Sequence, residues 1–326
     1  MIKEILMPIL SLGGMSIVFG AGLAFASQKF AVDSDPREEE VREVLPGVNC
    51  GACGYPGCDG FAAAVVTGDA PVAGCPVGGA RVAQQIGDIM GLEVGDINRR
   101  IAKVLCAGDC EKAPQKYHYQ GIEDCVAASL IADGPKECSY GCLGLGTCVN
   151  ACPFDAIYIN DKGIAVVDED KCTSCEKCVA ACPKNLIEMV PVSSQVQVLC
   201  KSEDKGKDVK NSCKVGCIGC RICEKVCKFD AIVVDNNVAR IDYDKCVNCM
   251  VCAENCPTKS IYADFDNRKI AFIEEDKCTG CTACKRACKF NAIEGNVKEV
   301  HIVIEDKCTG CQECIKKCRF DAIIMK

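Results

Sequence analysis

The longest apolar stretch of the chain lies near its N-terminus. Residues 5–27 carry no charged side chain, and an apolar helix of this length can cross the hydrocarbon core of a bilayer. Lys3 precedes the stretch, and Lys29 and Arg37 follow it, a bias that places the rest of the chain on the cytoplasmic side of a cell membrane. The residues Ala24-Phe25-Ala26 would also suit a signal-peptide cleavage site. We expect an uncleaved single-pass anchor, because the apolar region is longer than that of a signal peptide.

Shorter patterns predict elements further along the chain. Residues 31–45 are acidic, and Asp35 followed by Pro36 predicts the start of a helix. Residues 80–104 show helical periodicity, which predicts a connecting helix. Residues 103–106 and 197–200 end in the same Val-Leu-Cys sequence and indicate a duplicated, strand-like element.

Cysteine dominates the composition, with 33 cysteines among 326 residues. Most of them are two or three residues apart, so they converge on one site instead of cross-linking distant parts of a fold. The unit Asp-Lys-Cys-x-x-Cys-x-x-Cys-x-x-x-Cys begins at Asp170, Asp244, Asp276 and Asp306, and two further runs begin at Cys138 and Cys217. Zinc is the less favoured alternative, because zinc sites usually combine two separated Cys-x-x-Cys pairs.

These runs resemble those of bacterial ferredoxins with two [4Fe–4S] clusters, in which the fourth cysteine of each run binds the other cluster. Their repetition predicts three tandem modules. The resemblance implies six ligand sets: Cys138, Cys142, Cys148 and Cys182; Cys172, Cys175, Cys178 and Cys152; Cys217, Cys220, Cys223 and Cys256; Cys246, Cys249, Cys252 and Cys227; Cys278, Cys281, Cys284 and Cys318; and Cys308, Cys311, Cys314 and Cys288.

Two further sites are predicted outside these runs. The first is a seventh [4Fe–4S] cluster of a different type, at a cysteine group set among glycines that let backbone amides approach the cluster sulfurs. Its ligands are Cys50, Cys53, Cys58 and Cys75. The second is an eighth cluster at the interface of the duplicated strand-like elements, with buried thiols that bind no metal as the alternative. Its ligands are Cys106, Cys125, Cys200 and Cys213, which leaves Cys110 unused.

The remaining composition supports this organisation. The chain lacks tryptophan and has 5% aromatic residues, so each module is too small for stability through apolar burial alone, and its clusters must complete its core. We expect an α+β fold, with a transmembrane helix, a small four-cysteine [4Fe–4S] domain and three ferredoxin-like modules. The predicted segments are the anchor (1–28), an acidic linker (29–45), the four-cysteine domain (46–95), a connector (96–137), module 1 (138–192), a second connector (193–216), module 2 (217–266) and module 3 (267–326).

The net charge of −7 is unevenly distributed, because ten lysine and arginine residues exceed seven aspartate and glutamate residues between Asp276 and Lys326. A basic region can steer an acidic electron carrier, although surface lysines often serve only solvation. The predicted docking residues are Lys285, Arg286, Lys289, Lys316, Lys317 and Arg319. Lys228, Lys289 and Arg319 also follow a fourth cysteine where other runs have proline, and a cation there would raise the potential of a cluster.

No motif for nucleotide or bond-making chemistry accompanies these sites. The sequence has no GxGxxG fingerprint after a strand, no GxxxxGK[ST] loop and no nucleophile–base pair. Flavin and nicotinamide chemistry must therefore belong to partner proteins, and nothing indicates a nucleic-acid partner.

The segment from Val44 to Cys58, together with the N-terminal apolar stretch and the tandem modules, resembles the B subunits of Rnf complexes in their long, clostridial form. The resemblance implies a membrane-bound, ion-translocating ferredoxin:NAD+ oxidoreductase. In that complex this chain would accept electrons from reduced ferredoxin and relay them to membrane subunits and to flavin- and NAD-binding partners. A polyferredoxin that stores electrons, and an iron–sulfur subunit of another membrane reductase or hydrogenase, are the alternatives.

Overall fold

The computed structural model describes residues 2–29, 35–95 and 99–326, with side chains from residue 13 onward except those of residues 27 and 28. The helices are α1 (Ile2–Lys29), α2 (Pro36–Val44), α3 (Gly57–Thr67), α4 (Gly79–Met90), α5 (Cys125–Ser129), α6 (Thr147–Asn150), α7 (Lys177–Ala181), α8 (Gly206–Ser212), α9 (Ile222–Val226), α10 (Val251–Glu254), α11 (Ala283–Ala287) and α12 (Glu313–Lys317). The strands are β1 (Arg100–Val104), β2 (Ile157–Ile159), β3 (Ala165–Val167), β4 (Ile187–Pro191), β5 (Val196–Val198), β6 (Ile232–Asp235), β7 (Val238–Ile241), β8 (Ile261–Ala263), β9 (Ala271–Ile273), β10 (Ile293–Glu294), β11 (Ile302–Val303) and β12 (Ile323–Met325). Short 3-10 helices cover Glu275–Lys277 and Glu305–Lys307.

Helix α1 contains the apolar stretch that the sequence analysis assigned to a membrane anchor. Its large apolar side chains are exposed at Ile17, Phe19 and Leu23. Within the part of the chain that the structure describes, no helix is long and apolar enough to cross a membrane. The predicted span is therefore not confirmed, and the side chains of residues 2–12 lie outside the described ones.

Helices α2, α3 and α4 form a small helical unit with its own apolar core. Asp35 caps α2 as predicted, because its side chain accepts a hydrogen bond from the backbone amide of Arg37 at 2.9 Å. Val41 of α2 packs with Phe61 of α3 and Ile86 of α4, and all three are buried. Helix α2 therefore belongs to this unit and does not serve only as a linker; residues 30–34 lie outside the described ones.

The helix predicted over residues 80–104 is shorter in the structure. Helix α4 ends at Met90 because Gly91, at φ +67°, adopts the left-handed conformation that closes a helix. Beyond it, strand β1 pairs antiparallel with β4, from Arg100 opposite Pro191 to Val104 opposite Ile187. The prediction is wrong for this second part, because the strand depends on a partner that is distant in the sequence.

Three repeating units follow, which we define as the first unit (99–192), the second unit (193–266) and the third unit (267–326). Each has an outer antiparallel strand pair and an inner hairpin. The outer pairs are β1–β4, β5–β8 and β9–β12, and the hairpins are β2–β3, β6–β7 and β10–β11. Strands β1 and β5 lie within the predicted connectors, so each connector contributes a strand to the unit that follows it.

The cores of the three units include cysteines. In the first unit Ile101, Leu186 and Val190 pack with Cys148 and Cys178 in one buried cluster. The cores of the second and third units likewise combine apolar residues of the short strands with buried cysteines. In the helical unit the cysteines are only partly buried, at the edge of an apolar core. The repeating units therefore depend on whatever their cysteines bind, and the helical unit depends on it less.

Candidate iron–sulfur sites

Two small cavities in the third unit are each lined by four cysteines. One has about 320 Å³ of space among its lining atoms, part of it open to solvent, and is lined by Cys278, Cys281, Cys284 and Cys318. The other has about 340 Å³ of such space and is lined by Cys288, Cys308, Cys311 and Cys314. The fourth cysteine of each run thus faces the other run, which is the exchange expected from the resemblance to two-cluster ferredoxins.

The same local backbone geometry brings the cysteines together in five of the six runs. The residue after the second cysteine adopts a positive φ and precedes a short helix, and the third cysteine is the second residue of that helix. Thr282 (φ 61°) precedes α11, and Gln312 (φ 60°) precedes α12. The equivalent residues are Glu176, Arg221 and Met250. Because this conformation costs a non-glycine residue about 1–2 kcal/mol, a group bound by the flanking thiolates would offset local strain.

The second unit brings together cysteines of both predicted sets. Burial, together with neighbouring thiolates, raises the pKa of Cys223 to about 11 and that of Cys252 to about 12. The neighbours of Cys223 include Cys217, Cys220 and Cys256, and those of Cys252 include Cys249, Cys246 and Cys227. Four crowded, half-buried thiolates repel one another, so they ionise together only when a cationic group binds between them.

Two further quartets are neighbours of each other across the boundary between the helical unit and the first unit. Burial raises the pKa of Cys178 to about 12, with Cys175, Cys172 and Cys152 next to it. Burial also raises the pKa of Cys75, with Cys53, Cys58 and Cys50 next to it. A cavity with about 1350 Å³ of empty space, open to solvent, is lined by Cys53 and Cys75 on one side and Cys172 on the other.

The structure departs from the predicted grouping at Cys125 and Cys138, which exchange places. A cavity of about 360 Å³ is lined by Cys125, Cys142, Cys148 and Cys182. A cavity of about 380 Å³ is lined by Cys106, Cys138, Cys200 and Cys213. Cys125 is held at the first of them because its backbone amide donates to Thr147 Oγ1 at 2.7 Å and Asp124 caps its helix, α5. The structure therefore places Cys125 beside Cys142, Cys148 and Cys182, and Cys138 beside Cys106, Cys200 and Cys213.

A repeat in the sequence is the signal that could have revealed this exchange. The segments Cys138-Ser-Tyr-Gly-Cys142 and Cys213-Lys-Val-Gly-Cys217 have the same spacing and the same glycine. When they are aligned, Cys142 matches Cys217, and the first unit has no cysteine at the position of Cys220. Cys125 fills that position from an earlier part of the chain.

Hydrogen bonds point at several of the sulfurs. The fourth cysteines Cys182, Cys227 and Cys288 accept from the backbone amide four residues later, at 3.5, 3.4 and 3.2 Å. Cys256 accepts from the equivalent amide, that of Ser260, and in addition the hydroxyl oxygens of Ser260 and Thr258 lie 3.3 and 3.8 Å from its sulfur. Although burial alone would raise it, these hydrogen bonds lower the pKa of the Cys256 thiol. Hydrogen bonds of this kind tune the potential of iron–sulfur clusters.

The donor set of these cavities suits [4Fe–4S] clusters. Among the described residues, Thr173 Oγ1 and His301 Nε2 are buried without a hydrogen-bond partner, and both residues line cysteine cavities. Sulfide and thiolate sulfur would supply acceptors for them. In the same described ranges, no three histidine, cysteine or acidic side chains are arranged to hold a single metal ion; the thiols instead surround small cavities.

Comparison with known proteins agrees with this chemistry. Residues 45–77 match a family described as "Putative Fe-S cluster". Residues 139–189 and 271–325 match one family described as "4Fe-4S dicluster domain", and residues 216–260 and 245–292 match another with the same description. The B subunit of the Na(+)-translocating ferredoxin:NAD(+) oxidoreductase complex of Acetobacterium woodii is 48% identical over 82% of this chain and 81% of its own length. The chain belongs to the B-subunit family of Rnf complexes.

Members of the B-subunit family differ in how much of this chain they match. The B subunit of the proton-translocating ferredoxin:NAD(+) oxidoreductase complex of Clostridium ljungdahlii is 43% identical over 76% of this chain and 89% of its own length. The B subunit of an ion-translocating oxidoreductase complex of Aliivibrio fischeri is 36% identical over 59% of this chain and 85% of its own length. A solved complex of formate dehydrogenase, heterodisulfide reductase and formylmethanofuran dehydrogenase from Methanospirillum hungatei matches with a TM-score of 0.26, which is too low to carry an argument.

In this member of the family the predicted docking residues have different environments. Lys289 Nζ donates to the carbonyl oxygen of Lys228 and lies 4.2 Å from the ring centroid of Phe229. Lys228 Nζ donates to the carbonyl oxygen of Lys289 and lies 4.7 Å from the ring centroid of Phe290. We call these four residues the Lys-Phe clasp. The clasp joins the second and third units, so Lys289 is not available as a free docking cation.

The other predicted docking residues lie on the surface of the third unit. Lys285 donates to the carbonyl oxygen of Gly295 at 3.0 Å, and Lys316 pairs with Glu313 at 2.7 Å. The side chains of the remaining three are exposed and, within the described chain, form no hydrogen bond or ion pair. They are Arg286, Lys317 and Arg319.

Proposed function

We propose that this chain is the electron-transfer subunit of an ion-translocating ferredoxin:NAD+ oxidoreductase. It accepts electrons from reduced ferredoxin and passes them to partner subunits, where flavin- and NAD-binding proteins complete the reaction. The observation that carries the proposal is the succession of four-cysteine sites, each beside another, in a member of the B-subunit family. When bound, [4Fe–4S] clusters supply one-electron redox chemistry; the chain holds them and makes or breaks no substrate bonds.

Adjacent sites along the body support a continuous path. Cys53 and Cys172 line one cavity, which brings the helical unit beside the first unit. Between the second and third units, burial raises the pKa of Cys249 and the thiolate of Cys311 raises it further. Arg268 also donates to the carbonyl oxygen of Cys249 at 2.7 Å, while its side chain lies beside Gly310.

The basic surface of the third unit is the proposed docking site for ferredoxin. Arg286, Lys317 and Arg319 are exposed cations without partners in the described chain, and they lie next to cysteines of both quartets of this unit. Opposite charges steer redox partners to the surface where electron transfer occurs. Electrons would then travel through the second and first units toward the Cys50–Cys75 quartet.

Helix α1 is the proposed membrane anchor, with the cysteine-rich body on the cytoplasmic side. Support comes from the uncharged stretch at 5–27 and from the exposed apolar side chains of Ile17, Phe19 and Leu23. After expression of the full chain, alkaline extraction should leave the protein in the membrane fraction. Deletion of residues 1–28 should release it, and release of the full chain would contradict the anchor.

A charge-reversal variant tests the function. The full chain with Arg286→Glu, Lys317→Glu and Arg319→Glu should be reduced by ferredoxin at least tenfold more slowly at low ionic strength, whereas dithionite should reduce it as before.

The matched control reverses Lys177, Lys225 and Lys259, which are also exposed and lie beside cysteine runs of the other units. It should keep the wild-type rate. If the third-unit variant also keeps the wild-type rate, ferredoxin docks elsewhere. If the wild-type chain takes no electrons from ferredoxin, the proposed function fails.

A further inference from the structure

We propose that Cys106, Cys138, Cys200 and Cys213 bind an eighth [4Fe–4S] cluster, which links the first unit to the second. In the same arrangement Cys125 completes the neighbouring set with Cys142, Cys148 and Cys182. The role as a link rests on the proposed electron-relay function, whereas the site itself does not.

The cavity has the size and the lining of the other cluster cavities. The space among its lining atoms, part of it open to solvent, is about 380 Å³, compared with about 360 Å³ around Cys125 and about 340 and 320 Å³ in the third unit. Each of these four cavities is lined by four cysteines. The two third-unit cavities lie within a match to a 4Fe-4S dicluster family. The cavity lined by Cys106, Cys138, Cys200 and Cys213 has the same lining chemistry and comparable room.

Strand pairing brings the four cysteines together from distant parts of the sequence. Cys106 follows β1 and Cys200 follows β5, and the two strand ends meet where the Ala107 amide donates to the Leu199 carbonyl at 3.1 Å. Cys138 and Cys213 arrive from the segments that precede the first cysteine run of each unit. Backbone hydrogen bonds hold both segments to the stretch that follows Cys106: the Lys214 amide donates to the Lys112 carbonyl at 2.9 Å, and the Glu137 amide donates to the Pro114 carbonyl at 2.9 Å.

The backbone leaves space for the cluster at Gly108. A Cβ atom at this position would lie 3.2 Å from Cys213 Sγ and 3.8 Å from Cys106 Sγ. The absence of a side chain therefore keeps the space between these two sulfurs open. A larger residue at position 108 would occupy space close to both thiolates.

A buried cation faces this site without an acidic partner. Lys136 is 4% exposed, and its ammonium donates to the Gly108 carbonyl oxygen at 2.7 Å. No carboxylate in the described chain forms an ion pair with it, and the nearby Asp109 pairs with Lys112. Burial of an uncompensated ammonium is costly. A cluster with four thiolate ligands carries net negative charge, and it would supply the missing countercharge.

Hydrogen bonds connect the site to a quartet in each flanking unit. The backbone amide of Cys142 donates to Cys106 Sγ at 3.4 Å. In the equivalent way, the backbone amide of Cys217 donates a hydrogen bond to the Cys200 sulfur. The proposed cluster therefore lies one hydrogen bond from a ligand of each neighbouring cluster, between the two units.

Pairs of cysteine substitutions test the ligand set. Removal of two ligands of the same cluster should lose one cluster, or four irons, whereas removal of one ligand from each of two clusters should lose eight irons. The full chain, reconstituted anaerobically, should bind about 32 iron and 32 sulfide, at four of each per cluster. The variant with Cys106→Ala and Cys138→Ala should bind about 28, and the variant with Cys106→Ala and Cys125→Ala should bind about 24. The control Cys110→Ala changes an exposed cysteine that lines none of these cavities, and it should bind about 32.

Several results would overturn the proposal. A wild-type value of about 28 iron, unchanged by Cys106→Ala with Cys138→Ala, would remove the eighth cluster. One zinc per chain, lost in that variant, would replace it with a zinc site. Equal losses in the two double variants would refute the exchange of Cys125 and Cys138. If Cys106→Ala with Cys138→Ala prevents folding, Lys136→Met and Gly108→Val provide a second test, and each should lose four irons while the Cys110 control does not.

The role of the link has a separate readout. In the variant with Cys106→Ala and Cys138→Ala, ferredoxin should still reduce clusters of the third and second units within seconds. Reduction of clusters in the first and helical units should slow at least tenfold. Reduction of all remaining clusters at the wild-type rate would refute the link and leave the site intact. Loss of all ferredoxin-driven reduction in the wild-type chain would instead refute the proposed function.

Discussion

Replacement of Ser260 by alanine should lower the reduction potential of the cluster proposed at Cys217, Cys220, Cys223 and Cys256. Ser260 is 1% exposed, and its hydroxyl oxygen lies 3.3 Å from Cys256 Sγ. Alanine removes this hydroxyl and leaves the backbone carbonyl of Ser260 in its bond to the Leu199 amide. The change therefore acts on the sulfur and leaves the strand pairing intact.

The size of the effect follows from the strength of one hydrogen bond. A buried hydrogen bond contributes about 0.5–1.5 kcal/mol. It is stronger in the reduced state, because the added electron makes the sulfur more negative. For a one-electron couple a tenfold change in equilibrium corresponds to about 59 mV, so removal of the bond should lower the midpoint by roughly 20–60 mV.

The assay is a redox titration of the full chain, followed by electron paramagnetic resonance. One component of the titration should shift to a more negative potential, while the iron content stays unchanged. Thr258→Val is the matched control, because its hydroxyl oxygen is farther from the same sulfur, at 3.8 Å, and should produce a smaller shift. An unchanged or higher midpoint in Ser260→Ala would refute the reasoning.

Three other predictions concern the clasp, the metal and His301. Lys289→Ala breaks the Lys-Phe clasp and should destabilise the third unit by about 0.5–1 kcal/mol in denaturant unfolding, whereas exposed Lys225→Ala should not. Removal of iron by a chelator should abolish most β-structure in circular dichroism but retain helix from α2, α3 and α4, because their core is apolar; simultaneous loss of both would contradict this. His301→Phe removes a buried, unpaired Nε2 beside the cavity of Cys278, and it should lower that cluster's midpoint without loss of iron; an unchanged midpoint would show that Nε2 donates nothing to the cluster.

Local patterns were sufficient where a structural feature depends on adjacent residues. The cap at Asp35 and the start of α2 agree with the sequence prediction, because a cap needs only a side chain and the next amides. In five of the six runs the first three cysteines converge because one residue with positive φ and one short helix place them on the same side. Strand β1 was partly misassigned as helix, because its partner β4 lies far along the chain.

The chemistry of this protein can be read from the order of its residues, because the thiol ligands, their spacing and the number of repeats are local properties. The three-dimensional fold was needed to decide which cysteine completes the set with Cys142, Cys148 and Cys182, and which completes the set with Cys106, Cys200 and Cys213. Cys125 is isolated in the sequence and the run that begins at Cys138 is irregular, so spacing cannot assign these two cysteines, and their places depend on the cap at Asp124 and on the meeting of β1 and β5. The burial of Lys136 against the Gly108 carbonyl also depends on the fold, because only the tertiary structure shows what surrounds a side chain.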